Sequence, residues 1–369
     1  YGCASLYLVD TDNNPIFVSE GGVLFSADKK ILVFLSPDQS HLTIPAESKV
    51  LHRGLFSGSC CLSEIEVDER NEAFRTFNEC LFSKDLSTLI YVPDCQTKKC
   101  CIPSNTVHIA DGALKNCYEL DLFEVDEVNE AFTTVDGVLF TKDLKTLIRC
   151  PPRKKWNCII PGPTTAIADG ALLNCLSLHL FEVAEENQAF TSLDGALFTK
   201  DLRRLISYPS EREKDFSIPK ETVELDEHAF NARIKLRRLK VDERNQVFTA
   251  HYGSLFSKDK TVLIRAFHSL EIPKETSAID TNAFIAAEFV DRIEVSPENQ
   301  FFVVNGPLLC TRDMKTLIYS SYLTSKIVIP DEVVELRPYS APLFSMKIVY
   351  PHRALKDENS YSRSMRRYF

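Results

Sequence analysis

The sequence is poor in the features that mark membrane proteins, nucleic-acid binders and the common enzyme classes. It has no run of about 18 apolar residues, so no segment of it is predicted to cross a membrane as a helix. Lys and Arg number 43 against 52 Asp and Glu, and a net charge of −9 argues against nucleic acid as the main partner. No HExxH, GxSxG or P-loop motif occurs, so an enzyme is not predicted.

Two further absences concern location. No asparagine begins an Asn-x-Ser/Thr sequon, which favours an intracellular or bacterial protein over a secreted eukaryotic one. The first residues have neither an initiator Met nor a basic start, so we expect a processed or truncated chain. With 44% hydrophobic and 26% charged residues, the chain has ample material for a core and a soluble surface.

What the sequence has in abundance is repetition. The segment from Asn129 to Val183 is echoed by the segments before and after it, as in NEAFTTVDGVLFTKDLKTLI and NQAFTSLDGALFTKDLRRLI. The repeats begin at Asn14, Asn71, Asn129, Asn187, Asn245 and Asn299, with spacings of 57, 58, 58, 58 and 54 residues. A constant period of this length predicts one supersecondary unit stacked on copies of itself.

The first half of each repeat has short β-rich runs separated by turns. Asp136-Gly137 and Asp194-Gly195 lie between apolar runs, as a type I′ hairpin requires. A second turn is predicted at a recurring aspartate, whose side chain can bond its own backbone. A calcium column is the alternative for these carboxylates, although one per coil supplies few oxygens. The aspartates are Asp85, Asp143, Asp201, Asp259 and Asp313.

The second half of each repeat begins at Ile-Pro, as at Ile160-Pro161, and ends on a strand such as LDLFEV. Proline cannot donate to a central ladder, so it is suited to closing a strand. The Ala-Phe or Ala-Leu pair that follows is predicted to form a short helical or 3₁₀ turn.

Twelve cysteines are too few for a disulfide scaffold. Cys61, Cys117 and Cys175 share one phase of the repeat and are predicted to be buried free thiols. Two other groups leave open a loop disulfide or, less in keeping with known spacings, a shared zinc site. These groups are Cys150 with Cys158, and Cys95 with Cys100 or Cys101.

The run Ile-Pro, then Ala-Phe, then Cys-x-x-Leu and a strand ending in Val resembles the BspA-like leucine-rich-repeat surface protein family. The copies containing DGVLFTKDLKTLIRCP and DGALFTKDLRRLISYP resemble its version with an added hairpin. The resemblance covers nearly all of residues 14–351. It implies a leucine-rich-repeat solenoid at the cell surface, adhesion to host or matrix proteins, and no catalytic residues.

The predicted fold class is therefore a β-rich α+β leucine-rich-repeat solenoid, with about eleven coils in 58-residue double repeats with hairpin turns. We expect residues 1–351 to form a single solenoid and residues 352–369 to be a polar, basic tail.

The strand that closes each repeat predicts which side chains meet a partner. Counting back from its final Val, alternate positions should face the core, and the others should face outward. The candidate protein-binding residues run from acidic and apolar in two repeats to basic in the next. They are Asp121, Leu122, Glu124, His179, Leu180, Glu182, Arg237, Arg238 and Lys240.

Two readings of these residues remain open. Leu122 and Leu180, beside the like-charged Glu124 and Glu182, are suited to anchoring a partner that offsets the charge. Alternatively, the charges are a solvated face and a neighbouring coil covers the leucines.

The leading functional prediction is a non-enzymatic cell-surface or secreted protein that binds host or matrix proteins through its strand-lined face. No cofactor or metal is predicted. An intracellular scaffold for protein complexes is the alternative, favoured by the missing sequons. Self-association of the solenoid is a third hypothesis, because the end coils expose strand edges.

Overall fold

The computed structural model describes residues 11, 14–56, 61–94, 98–230, 234–285, 290, 292–320, 326–337 and 347–349. Within them the chain is a β-solenoid in which six four-stranded and six two-stranded sheets alternate along the sequence. The predicted solenoid is thereby confirmed. The predicted tail, 352–369, lies outside the described residues.

Backbone contacts divide the chain into two compact units, with the change between them around residues 178–190. The first unit runs to Leu178 and includes Glu182–Ala189, and the second holds His179–Phe181 and continues from Phe190. Whether residues 1–351 act as one domain stays a prediction.

The first unit contains seventeen complete strands. They are β1 Phe17–Glu20, β2 Val23–Ser26, β3 Ile31–Leu35, β4 His41–Ile44, β5 Val50–Leu51, β6 Glu64–Val67, β7 Phe74–Phe77, β8 Cys80–Ser83, β9 Thr88–Tyr91, β10 Lys99–Ile102, β11 His108–Ile109, β12 Leu122–Val125, β13 Phe132–Val135, β14 Val138–Thr141, β15 Thr146–Arg149, β16 Trp156–Ile160 and β17 Ala166–Ile167.

Strand β18, Leu178–Val183, contributes residues to both units. The strands of the second unit are β19 Phe190–Leu193, β20 Ala196–Thr199, β21 Arg204–Ser207, β22 Asp215–Ile218, β23 Glu224–Leu225, β24 Arg238–Val241, β25 Phe248–His251, β26 Ser254–Ser257, β27 Val262–Arg265, β28 Ser269–Ile272, β29 Ala278–Ile279, β30 Arg292–Val295, β31 Phe302–Asn305, β32 Leu308–Thr311, β33 Thr316–Ser320, β34 Lys326–Val328, β35 Glu335–Leu336 and β36 Lys347–Val349.

Each four-stranded sheet is built around a tight hairpin. In β13–β14 the antiparallel register ends at Val135↔Val138, which leaves Asp136 and Gly137 as a two-residue loop. Their φ angles are 50° and 76°, the left-handed values that a type I′ turn needs at both positions. The Asp-Gly pair therefore fixes the hairpin predicted from the sequence.

The spacing of the parallel strands identifies the coil. In the four-stranded sheets the pairing Thr146↔Ala166 joins residues 20 apart. In the two-stranded sheets the pairing Lys99↔Leu122 joins residues 23 apart. Both lengths lie in the range of leucine-rich repeats, about 20–29 residues, so one 58-residue repeat contains two coils of this class.

The predicted helical turn is absent, because the described residues contain no helix. After the Ile-Pro half, isolated turns take its place, with Ala113 N donating to Ala110 O at 3.0 Å and Lys115 N to Gly112 O at 3.1 Å. The described chain is thus all-β, not α+β.

The repeated asparagine links the two halves of each repeat. Asn129 is fully buried, and its Nδ2 donates to Pro103 O at 2.7 Å and to Thr106 O at 2.9 Å. Its Oδ1 accepts from Ala131 N at 2.9 Å and Phe132 N at 2.7 Å. One side chain therefore satisfies backbone groups of two successive coils, which explains the constant period. Equivalent Nδ2 bonds are made by Asn71, Asn187, Asn245 and Asn299.

The repeated aspartate is a turn residue, as predicted. Asp143 Oδ1 accepts from Thr141 Oγ1 at 2.8 Å and from Lys145 N at 3.0 Å. These bonds hold the pKa of Asp143 below its usual value, the Lys145 backbone bond contributing most. Asp85, Asp201, Asp259 and Asp313 make the same backbone bond.

The described cysteines form no disulfide, and most of them are buried. Cys117 and Cys175 lie in the core as predicted, but Cys61 is exposed. Cys150 and Cys158 are both buried free thiols, so the loop disulfide considered for them is not formed; Cys95 lies outside the described residues. Cys100 is buried with its Sγ 3.9 Å from Cys80 Sγ, and this contact together with burial raises its pKa.

Candidate functional site

The candidate residues of the second repeat lie on β12 in the first unit, and they are less open than predicted. Leu122 is half-buried beneath the hairpin turn that follows it. Phe123 N donates to Gly137 O at 2.9 Å, and a Cβ added at Gly137 would lie 2.8 Å from the Leu122 Cβ. Coverage by a neighbouring coil therefore describes Leu122 better than a fully exposed anchor does.

The acidic side chains beside Leu122 are offset within the chain itself. Glu124 pairs with Lys99 at 2.6 Å, and Asp121 lies 3.9 Å from Lys98. The hydrogen bond from Lys99 holds the pKa of Glu124 below its usual value. No external cation is needed to balance Glu124.

The candidate residues that end the third repeat lie beside a similar closed turn, at Asp194-Gly195. His179 and Leu180 belong to the second unit, whereas the exposed Glu182 belongs to the first. Leu180 is half-buried, and a Cβ added at Gly195 would lie 3.0 Å from its Cβ. Phe181 N donates to Gly195 O at 2.9 Å, and the Arg212 guanidinium packs on the same glycine.

The strand that closes the fourth repeat differs, because the hairpin turn that follows it, at Tyr252-Gly253, stands away from the strand. A Cβ added at Gly253 meets nothing within 4 Å. Leu239 occupies the position of Phe123 and Phe181, yet within the described residues no hydrogen bond joins it to Gly253. The Leu239 N–H therefore faces an opening that the two preceding repeats close.

We call this opening the β24 cleft, defined as the space between Arg238–Val241 and the turn at Tyr252-Gly253. A groove of about 470 Å³ lies between Leu236–Leu239, the turn and Phe267–Ser269. A second groove of about 450 Å³ continues along Leu239–Glu243 to Lys258. A third, of about 630 Å³, extends from Arg237 and Arg238 to Glu213–Asp215.

Three predicted residues meet at this cleft. Arg237, Arg238 and Lys240 are all exposed and line its grooves. Arg238 stands where Leu122 and Leu180 stand in the earlier repeats, so the apolar contact under the turn is replaced by a charged side chain.

The cations of the cleft are unevenly paired. Lys240 lies 2.9 Å from Asp215, and its hydrogen bond holds the pKa of that carboxyl below the usual value. The pair is exposed, so it contributes little stability. Arg237, Arg238 and Lys214 have no ion pair within 4 Å among the described residues. Arg237 and Arg238 therefore lack a close ion pair, although Asp215 lies in the same groove and its pKa is also lowered by their charge.

Tyr252 forms one wall of the cleft in a costly conformation. Its φ is 47°, and 65% of its surface is exposed. Asp136 and Asp194 occupy the same turn position, where a short polar side chain tolerates left-handed φ. An aromatic residue gains nothing there from burial. Such strain, about 1–3 kcal/mol, concentrates at functional sites.

The opposite wall is fixed by His268. Its Nε2 lies 2.6 Å from Leu236 O, and because a carbonyl only accepts, the proton resides on Nε2. The buried Ser254 supports the same segment, its hydroxyl accepting from Phe267 N at 3.2 Å and donating to Ser269 O at 3.3 Å. Both contacts hold the cleft open without a ligand.

Sequence reasoning missed Tyr252, Gly253, His268 and Lys214. The available signal was the replacement of Asp-Gly by Tyr-Gly in the fifth repeat, a departure from the pattern at an exposed turn. The single tryptophan, Trp156, was also missed, and it is 68% exposed.

Among solved structures, the chain is similar to the pneumococcal vaccine antigen PcpA, with a TM-score of 0.40 and 14% identity over 91% of this chain and 88% of that chain. It is similar to a leucine-rich repeat protein from Eubacterium ventriosum (TM-score 0.35, 14% identity, 90% and 83% covered). It is also similar to a leucine rich cell surface protein from Faecalibacterium prausnitzii (TM-score 0.33, 12% identity, 89% and 86% covered).

Two of these three names describe leucine-rich proteins. At such low identities and TM-scores, the fold assignment rests on the strand spacing of this chain. No protein-family model and no curated protein matches the sequence. No helix long and apolar enough to span a membrane occurs in the described residues.

Proposed function

We propose that this chain is a non-enzymatic repeat protein of the cell surface or extracellular space. Its function is to bind other proteins, such as host or matrix proteins, through the strand-lined face, and the β24 cleft is its main contact. One observation supports the cleft above the other candidates. The turn that follows the fourth repeat is open and rimmed by Arg237 and Arg238, neither of which has an ion pair in the described structure.

The earlier repeats serve mainly as scaffold in this proposal. Leu122 and Leu180 pack under their hairpin turns, and Glu124 is neutralised by Lys99. Such contacts leave little affinity for a partner, whereas a rigid pocket with unpaired Arg and an exposed aromatic residue is typical of an interaction hot spot.

The test is direct binding to a panel of purified host and matrix proteins. The chain is immobilised and compared with the double variant Arg237→Ser/Arg238→Ser. The control is Lys200→Ser/Arg203→Ser, which removes the same charge from exposed positions of the second unit outside the cleft grooves. We expect at least one ligand, with binding lost only in the cleft variant. Absence of any ligand in the panel contradicts this function.

Location is tested separately by protease shaving of intact source cells. Rapid loss of the protein from unbroken cells supports the surface assignment. Full protection until lysis contradicts it and favours the intracellular scaffold, which the absence of Asn-x-Ser/Thr sequons also favours.

A further inference from the structure

We propose that the β24 cleft binds an extended acidic peptide segment with carboxylates at alternate positions. This inference rests on the proposed protein-binding function and specifies the chemistry of the partner. It follows from three features that coincide in this cleft and not at the closed turns of Gly137 and Gly195: cations without a close ion pair, a strand N–H that no turn carbonyl accepts, and an aromatic wall.

The charge of the cleft selects an anionic partner. Arg237 and Arg238 have no ion pair in the described part of the chain, and guanidinium groups bind carboxylates in a bidentate fashion. Lys240 is held only by its exposed pair with Asp215, at 2.9 Å, which a ligand carboxylate can replace at little cost.

The backbone of β24 selects an extended segment. In the second and third repeats, Phe123 N and Phe181 N donate to a glycine carbonyl of the turn, each at 2.9 Å. The corresponding N–H of Leu239 has no turn carbonyl as partner in the described structure. Leu239 is 2% exposed, so a main-chain carbonyl of a ligand would reach this N–H by entering the groove between β24 and the turn. Addition of a peptide along an unpaired strand edge is a recurring recognition mode, in which main-chain bonds give affinity and side chains give specificity.

The side-chain register of β24 selects the spacing of the carboxylates. Arg238 and Lys240 project from the same face of the strand, about 7 Å apart. In an extended peptide, alternate residues share one face with the same repeat, so acidic residues at positions i and i+2 oppose both cations. Adjacent acidic residues would place one carboxylate on the wrong face.

Tyr252 and His268 make the cleft rigid before binding. The Tyr252 ring packs edge-on against His251 at 4.9 Å, and His268 is fixed to Leu236 O. A rigid aromatic side chain offers contact area with little loss of conformational entropy, which makes Tyr252 a suitable surface for the stem of an acidic side chain or its neighbour. This role also accounts for retention of a strained aromatic residue at an exposed turn.

The experiment measures fluorescence anisotropy of a labelled twelve-residue peptide of alternating Glu and Val with the purified chain. Arg237→Ser/Arg238→Ser should weaken binding at least about tenfold, as expected for loss of two charge-assisted contacts. Tyr252→Asn should also weaken it several-fold while keeping the turn folded, because Asn tolerates left-handed φ. The Lys200→Ser/Arg203→Ser control should bind like the parent chain.

Peptide controls test the register and the charge. A peptide with the same composition but its Glu residues contiguous should bind several-fold more weakly, and a Lys-Val peptide should not bind. The inference is overturned if both double variants weaken binding equally, if the two acidic peptides bind alike, or if a sulfated polysaccharide binds the cleft and neither peptide does.

The outcome is distinguishable from failure of the proposed function. A panel protein that binds the parent chain and the cleft variants equally refutes the acidic-peptide inference and leaves protein binding intact. A chain that binds the alternating peptide but no panel protein supports the cleft chemistry and contradicts the proposed set of partners.

Discussion

The hairpin turns that follow the second and fourth repeats share one architecture but differ in their contact with the preceding strand. The turn at Gly137 rests on Leu122, which closes the second repeat, and accepts a hydrogen bond from Phe123 N. At Gly253, after the fourth repeat, an added Cβ would meet nothing within 4 Å, and Arg238 replaces the leucine. Two substitutions, one at the turn and one on the strand, therefore accompany an open turn, while the pairing of the hairpin stays the same.

The largest expected effect tests whether the difference is confined to the turn. Asn129→Ala and Asn245→Ala each remove a buried side chain that bonds backbone groups of two coils. We expect each to lower the free energy of unfolding by about 3 kcal/mol, measured by urea denaturation, because the bonded groups are left unsatisfied. The exposed Asn105→Ala is the control, with almost no effect. If the two substitutions lowered the free energy of unfolding by markedly different amounts, the repeats would differ in their cores as well as in their turns.

The next effect compares the two turns directly. Gly137→Ala and Gly253→Ala share the cost of positive φ, at +76° and +79°. Only Gly137→Ala places its new Cβ in a clash, 2.8 Å from the Cβ of Leu122. The Leu122 Cβ is bonded to the backbone and cannot move aside as a flexible side-chain end could. We expect Gly137→Ala to lower the free energy of unfolding, measured by thermal denaturation, by about 1–3 kcal/mol more than Gly253→Ala does. Equal destabilisation by the two substitutions would mean that the fourth turn is also closed.

A smaller effect concerns strain in the open turn. Tyr252→Asn places a residue suited to left-handed φ where a bulky aromatic now stands. We expect the variant to gain about 0.5 kcal/mol of unfolding free energy, measured by differential scanning calorimetry, while it binds ligand more weakly. The matched change Asp194→Asn, at the same turn position with a φ of 49°, should leave stability almost unaltered. A clear loss of stability in Tyr252→Asn would show that the ring packs as part of the core.

The smallest effect is acid sensitivity, which the ends of the first and fourth repeats should share. Hydrogen bonds from Arg70 and Arg244 lower the pKa of Asp68 and Asp242, respectively, to about 2. Their stabilising effect is therefore present above pH 3.8 and is lost as the pH falls toward 2. Asp68→Asn and Asp242→Asn should each reduce the fall in melting temperature between pH 4 and pH 2 by a similar small amount. A fall as large as that of the parent chain would contradict the assignment.

The repeat pattern predicted the scaffold because local chemistry repeats with it. Each repeated feature meets a local requirement of the backbone. The Asn side chains bond backbone groups of two coils, the Asp-Gly pairs adopt the left-handed φ of the turn, and the alternation on the closing strands sets which side chains are buried. Phe123 and Leu239, expected to face the core, are buried. Strand alternation left the cover of Leu122 open, because that cover comes from a turn fifteen residues later.

The candidate site was predicted in part. Arg237, Arg238 and Lys240 were singled out by charge, and the structure places them around one cleft. Tyr252 and His268 were missed because they depart from the repeat, and a search for shared features discounts such departures. Candidate sites in a solenoid are best sought where one repeat has an unusual residue at a repeated position but keeps the backbone conformation, as Tyr252 does in place of Asp.

Amide hydrogen exchange at three equivalent positions tests the open turn most directly. The amides of Phe123 and Phe181 donate to turn carbonyls and should exchange slowly, whereas the Leu239 amide should exchange much faster in the free protein. Addition of the alternating Glu-Val peptide should slow Leu239 alone. A Leu239 amide as protected as that of Phe123 in the free protein would contradict the open cleft.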